Sequence, residues 1–112
     1  LRPTLGVGLS ACRTEWTGQL FPHPRLQSGE LLDDLVGRRF AILMRHAFLQ
    51  QLPHQIIMQM EKLGIIAIND PATGIQEWFN NKDINAVLIR PDRYILGGAK
   101  TLEEVSALIK AY

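Results

Sequence analysis

Only one of the 112 residues, Cys12, could act as a sulfur nucleophile, and a lone thiol limits the chemistry. It cannot close an intrachain disulfide, and with Arg13 as its only adjacent cation it lacks the electropositive setting that holds thiolate at neutral pH. The histidines offer little more. His46 and His54 flank a predicted helix start, and the position four residues after His54 is Met58, so a metal site would need donors from elsewhere. No Gly-x-Gly-x-x-Gly follows a strand. Gly6-Val7-Gly8 comes nearest, but it lacks the third glycine and the following helix that would cradle a dinucleotide pyrophosphate. The remaining polar cluster is Arg90-Pro91-Asp92-Arg93, whose types suit either a hydrogen-bonded turn or bidentate contacts across an interface. Aromatics are enriched at interfaces, so Trp16 joins Arg90, Asp92 and Arg93 as candidate interface residues. No residue is assigned a catalytic, cofactor-binding or metal-binding role.

Composition narrows the partners. Hydrophobic residues make up 46% and charged residues 21%, which supports one modest core and argues against disorder. Twelve basic and eleven acidic residues are scattered to a net charge of +1, so no basic face tracks phosphates and nucleic acid is not an expected partner. The longest apolar runs, around Ala41–Met44 and Ile65–Ile68, are strand-sized and far short of the roughly 20 residues that span a bilayer, so no membrane is expected. Leu1-Arg2-Pro3-Thr4 carries no signal-peptide pattern and no initiator Met, as expected for part of a longer polypeptide; with one cysteine, a cytoplasmic setting is the expectation.

The elements that would position these residues follow from periodicity. Pro3, Pro22 and Pro24 with weak patterning predict an extended arm over 1–24, of which 1–17 is read as linker and 18–112 as the folded domain. Arg25-Leu26-Gln27 suggests a short strand. Leu31–Gly37 suggests one helical turn, capped by Asp33 or Asp34 and stopped by Gly37. Phe40–Met44 reads as a central strand buried on both faces. Leu49, Leu52, Ile56, Met60 and Leu63 share one helical face, with Pro53 in the first turn and Gly64 as the stop.

Ile65–Ile68 reads as another buried strand, and strand–helix–strand implies parallel pairing. Thr73–Lys82 is a helix with Ile75, Trp78 and Phe79 inward. Ala86–Ile89 and Tyr94–Leu96 flank the Pro91-Asp92 turn as an antiparallel hairpin ended by Gly97-Gly98. Thr101 and Glu104 have capping-box spacing at the start of a last helix whose stripe is Leu102, Val105, Leu108 and Ile109.

A parallel βαβ unit followed by an antiparallel ββα unit resembles the thioredoxin fold, an α/β architecture with a central mixed sheet flanked by helices. Ile68-Asn69-Asp70, Ile84–Val87 and Gly97-Gly98 fall where that fold ends its strand, enters its hairpin and closes it; Gly29–Gly37 also resembles peroxiredoxin-like relatives. Thiol catalysts of the fold carry Cys-x-x-Cys, or one reactive Cys, after the central strand. Here that segment reads Arg45-His46-Ala47-Phe48-Leu49-Gln50-Gln51 and has no sulfur. Where the fold keeps a cis-proline before the hairpin, this chain has Asn85-Ala86. His46 would border whatever remains of the groove.

Gly18–Pro24, Leu31–Gly37 and Val87–Tyr94 together resemble the C-terminal domain of FAD-dependent aromatic hydroxylases, the group of 3-(3-hydroxyphenyl)propionate hydroxylase and phenol-hydroxylase-like monooxygenases. The resemblance spans residues about 18 to 112. It implies a non-catalytic domain with no cofactor of its own, packed on N-terminal flavin and substrate domains of the same polypeptide that use FAD and NAD(P)H, with self-association as a further role. A stand-alone thiol-redox protein acting through Cys12 and a free-standing binding module remain the alternatives.

Overall fold

The computed structural model describes residues 17–22, 25–71 and 73–111, apart from the side chain of Thr73. In chain order the elements are α1 (Leu32–Val36), β1 (Ala41–Met44), α2 (His46–Gln50), α3 (His54–Leu63), β2 (Ile66–Ile68), α4 (Thr73–Lys82), β3 (Ala86–Ile89), β4 (Ile95–Ala99) and α5 (Leu102–Ala111). The sheet order is β2-β1-β3-β4. β1 and β2 run parallel, whereas β1–β3 and β3–β4 are antiparallel. This is the thioredoxin-like arrangement expected from the order of elements.

The apolar run Ala41–Met44 is continuous because β1 lies between two cores. Ile42 and Met44 face one that α2, α3 and α5 cover with Phe48, Ile56, Met60, Val105, Leu108 and Ile109. Ala41 and Leu43 face the other, built on Leu32, Val36, Ile75, Trp78 and Phe79. β3 alternates in the same way, and all four of its residues are buried. The helix after the hairpin behaves as its periodicity predicts, burying Val105, Leu108 and Ile109. In α5, Glu104 N–H donates to Thr101 Oγ1 at 3.1 Å, while the Glu104 carboxylate accepts from Lys100 N–H at 2.7 Å.

Several local expectations are corrected. The helix expected from Leu49 onward is two helices: α2 ends at Gln50, and Pro53 serves as the extended N-cap of α3 rather than part of its first turn. Leu63 is 43% exposed, because it closes α3 where the chain reverses at Gly64 (φ 76°). Arg25–Gln27 is no strand of the sheet; Arg25 makes an isolated bridge to Leu31 across a tight turn. Asp33 and Asp34 lie inside the first turn of α1, and Leu31 precedes it without a side-chain cap.

Gly97 and Gly98 do not end β4 but pair with Leu88 and Val87 inside it. β2 is not buried on both faces. It is an edge strand, with Ile66 half-buried and Ala67 exposed. The end of the expected arm also belongs to the sheet. Leu20 bridges Tyr94 antiparallel, Gly18 and Phe21 N–H donate to Ile95 and Arg93 carbonyls at 2.8 Å, and the Phe21 side chain is fully buried.

Candidate functional site

Thiol catalysts of this architecture keep their sulfur at one position, the carboxyl end of β1. Arg45 occupies it. Its backbone N–H donates to Asn85 O at 3.0 Å, Nε to Ile84 O at 3.3 Å and Nη2 to Asn80 Oδ1 at 2.7 Å. The guanidinium also lies 5.6 Å over the Phe79 ring. One side chain therefore ties β1 to α4 and to the loop entering β3.

His46 follows, exposed at the start of α2. Asn69, just past β2, donates from Nδ2 to Met44 O at 3.0 Å, which turns its Oδ1 toward His46 Nδ1 at 3.2 Å. That oxygen can only accept, so the network places a ring proton on Nδ1. His54 is likewise exposed at the first position of α3. Among the described residues no three His, Cys, Asp or Glu side chains converge on a metal-sized space.

An open groove of about 500 Å³ adjoins Arg45, between Phe48, Gln51 and Asn85 on one side and Lys100 to Glu103 on the other. Asn85 closes one wall: its backbone N–H donates to Ala99 O at 2.9 Å and its Nδ2 to Lys100 O at 2.7 Å. These groups can position a polar ligand, and the groove holds no thiol. Nor do the turns after β1 and β2 make a flavin cradle. They read Arg45-His46 and Asn69-Asp70-Pro71, with side chains where close approach to a pyrophosphate needs glycine. Gly6-Val7-Gly8, Cys12 and Trp16 lie outside the described residues.

Of the candidate interface residues, the structure brings Arg90, Asp92 and Arg93 together in the β3–β4 turn. Arg90 N–H donates to Tyr94 O and Arg93 N–H to Arg90 O, both at 2.9 Å. Arg90 Nη2 meets Asp92 Oδ2 at 2.7 Å with the side chains 49% and 47% exposed, and Arg90 stacks 5.7 Å from the Tyr94 ring. Arg93 points the other way. Its side chain is only 16% exposed, Nη1 donates to Phe21 O at 3.1 Å, and Nε lies 3.3 Å from Asp33 Oδ1, within ion-pair range but out of line for a hydrogen bond. With φ at 70° it also holds a backbone conformation that non-glycine residues rarely adopt. Arg93 thus links the hairpin to the segment at Phe21 and to α1.

The sequence marked Arg45, Asn69 and Asn85 only as positions in the fold and assigned no role to them or to Asn80. The available signal was an Asn at the end of one strand and another at the entry to the next, where a side-chain amide satisfies backbone groups that the ladder leaves open.

The family model described as the HcaD C-terminal domain matches residues 47–112. A 3-(3-hydroxy-phenyl)propionate/3-hydroxycinnamic acid hydroxylase of Comamonas testosteroni is 26% identical, over 92% of this chain and 22% of that enzyme. The enzyme of the same description from Paraburkholderia xenovorans (strain LB400) is 29% identical, over 71% of this chain and 17% of that enzyme. The chain therefore spans about a fifth of the length of the curated relatives it matches. Among solved structures, RebC with bound 7-carboxy-K252c aligns over 83% of this chain and 18% of its own at a TM-score of 0.55 and 18% identity. RebC with reduced flavin, a rebeccamycin biosynthetic enzyme, aligns over 90% of this chain and 23% of its own at 0.50 and 13%. At those identities the likeness is one of fold.

Proposed function

The chain belongs to the HcaD C-terminal domain family, and from that premise we propose that it is the non-catalytic C-terminal domain of a FAD-dependent aromatic-ring monooxygenase. The parent would place one atom of dioxygen on a phenolic ring and release the other as water, with NAD(P)H supplying the electron pair. FAD, NAD(P)H and the phenol would all be held by N-terminal domains of the same polypeptide, in the cytoplasm. This chain would contribute packing and assembly, with residues 1–17 as the link and 18–112 as the domain.

The observation that carries the reading is Arg45 at the carboxyl end of β1. The position that holds sulfur in thiol catalysts is given over to hydrogen bonds to Ile84 and Asn80 and to a stacked Phe79 ring. That arrangement favours a domain kept for its shape over a stand-alone thiol protein. The purified chain should stay colourless when mixed with FAD and desalted. Retention of about one flavin per chain would overturn the reading. Disulfide-reductase activity lost in Cys12→Ser would overturn it in favour of a thiol-redox protein.

A further inference from the structure

Resting on the domain reading above, we propose that the outer edge of β2, which no strand covers among the described residues, is with the groove that α3 forms beside it a pairing surface for a second copy of this chain. The ladder geometry singles out one residue. In a parallel pair, alternate residues of a strand turn both backbone groups toward the neighbour. Ile66 N–H donates to Phe40 O at 3.0 Å, and Ile66 and Ile68 register with Ala41 and Leu43. Ile66 and Ile68 therefore face β1, which leaves the N–H and C=O of Ala67 directed away from the sheet. Ala67 is exposed, and no partner for those groups occurs among the described residues. The turn at 25–31 reaches only the far end of β2, where Gln27 N–H donates to the Asp70 carboxylate.

A two-fold antiparallel arrangement centred on Ala67 gives each copy what it lacks. Each Ala67 N–H donates to the Ala67 carbonyl of the other copy, joining two four-stranded sheets into one. Two hydrogen bonds are too little for a stable dimer, which buries about 1,200–2,000 Å². The groove of about 410 Å³ beside Ala67 supplies apolar surface from Ile57, 37% exposed despite its size, and from the half-buried Leu49. The rim carries Arg39 and Glu61, both exposed; the Arg39 guanidinium donates to Leu35 O at 3.0 Å and Val36 O at 3.3 Å, and neither residue forms an ion pair among the described residues. A two-fold interface brings a patch against itself, so one unpaired cation and one unpaired anion on the same rim are complementary to their own copy.

The test is the mass of the chain in solution by sedimentation, from about 1 µM to 1 mM. Mass should rise toward that of a dimer across this range. Ala67→Pro removes the outward N–H at an edge position that tolerates proline, and Ile57→Glu places a charge in the groove; each should raise the dissociation constant at least about tenfold. Arg39→Glu should weaken association, and Arg39→Glu combined with Glu61→Arg should restore it, an outcome that misfolding cannot produce. Leu20→Glu, at the opposite edge, should change nothing. A monomer throughout the range, or a dimer indifferent to these substitutions, overturns the inference. The colour of the same sample reports the domain reading separately: a colourless monomer sinks only the dimer, and a flavin-loaded chain sinks the domain reading whatever its mass.

Discussion

Replacing Phe21 with alanine tests whether the segment before the first helix is part of the fold or a tether. Phe21 has no exposed surface, meets the Trp78 ring edge-on at 4.9 Å and 75°, and donates its N–H to Arg93 O. Truncating a buried phenylalanine costs about 3–5 kcal/mol through lost transfer energy and the residual cavity. About 0.5–1.5 kcal/mol of that is the aromatic pair with Trp78. For a domain of this size, with a total stability of about 5–15 kcal/mol, the loss is a large fraction of the whole. At about 4–8 °C per kcal/mol, the melting temperature should fall by roughly 12 °C or more.

The assay is urea unfolding followed by far-ultraviolet circular dichroism, with the slope checked for constancy so that a shifted midpoint reports stability alone. Leu20→Ala is the internal control. Leu20 is next door but 46% exposed, and its truncation should stay within about 0.5 kcal/mol. Neighbouring residues with opposite outcomes are what a strand lying on β4 requires. A loss below about 1 kcal/mol for Phe21→Ala, where burial demands several, would refute the claim that residues 18–21 complete the core.

Two further substitutions probe the hairpin and the helix face by the same measurement. Arg93→Ala should cost about 1.5–3 kcal/mol, since it strips a charged donor from Phe21 O in a nearly buried site. Arg90→Ala breaks only a half-exposed pair with Asp92 and should cost no more than about 1 kcal/mol, less at high salt. Equal effects would mean that Arg93 does not hold the Phe21 segment. Ile56→Ala should cost about 2–5 kcal/mol, because Ile56 is buried in the core shared by α3, α5 and the sheet; a cost near zero would mean that α3 packs on another face.

The contrast between Arg90 and Arg93 shows where sequence reasoning stops. Both sit in one turn and both were read as interface candidates. Residue type could not separate them, because what distinguishes them is a partner 72 positions away. Trp78 and Phe79 were legible as inward-facing because helical spacing encodes burial locally. Phe21 was not, lying in a proline-rich stretch without periodicity, where only pairing with β4 decides which side chain turns inward.

The sequence by itself determined that the segment after the central strand has no sulfur, that no dinucleotide cradle follows a strand, and that the elements alternate as βαβ then ββα. Those properties rest on residue identity and on periods of 2 and 3.6, which are local. Tertiary structure alone decided that Arg45 is spent on Ile84 and Asn80, and that His46 is oriented by Asn69. It alone also placed Ala67 on the outer strand of the sheet among the described residues. In each case the outcome depends on which strand lies beside which. Hydrogen bonds and burial across that distance follow from the sheet order, which no window of sequence contains.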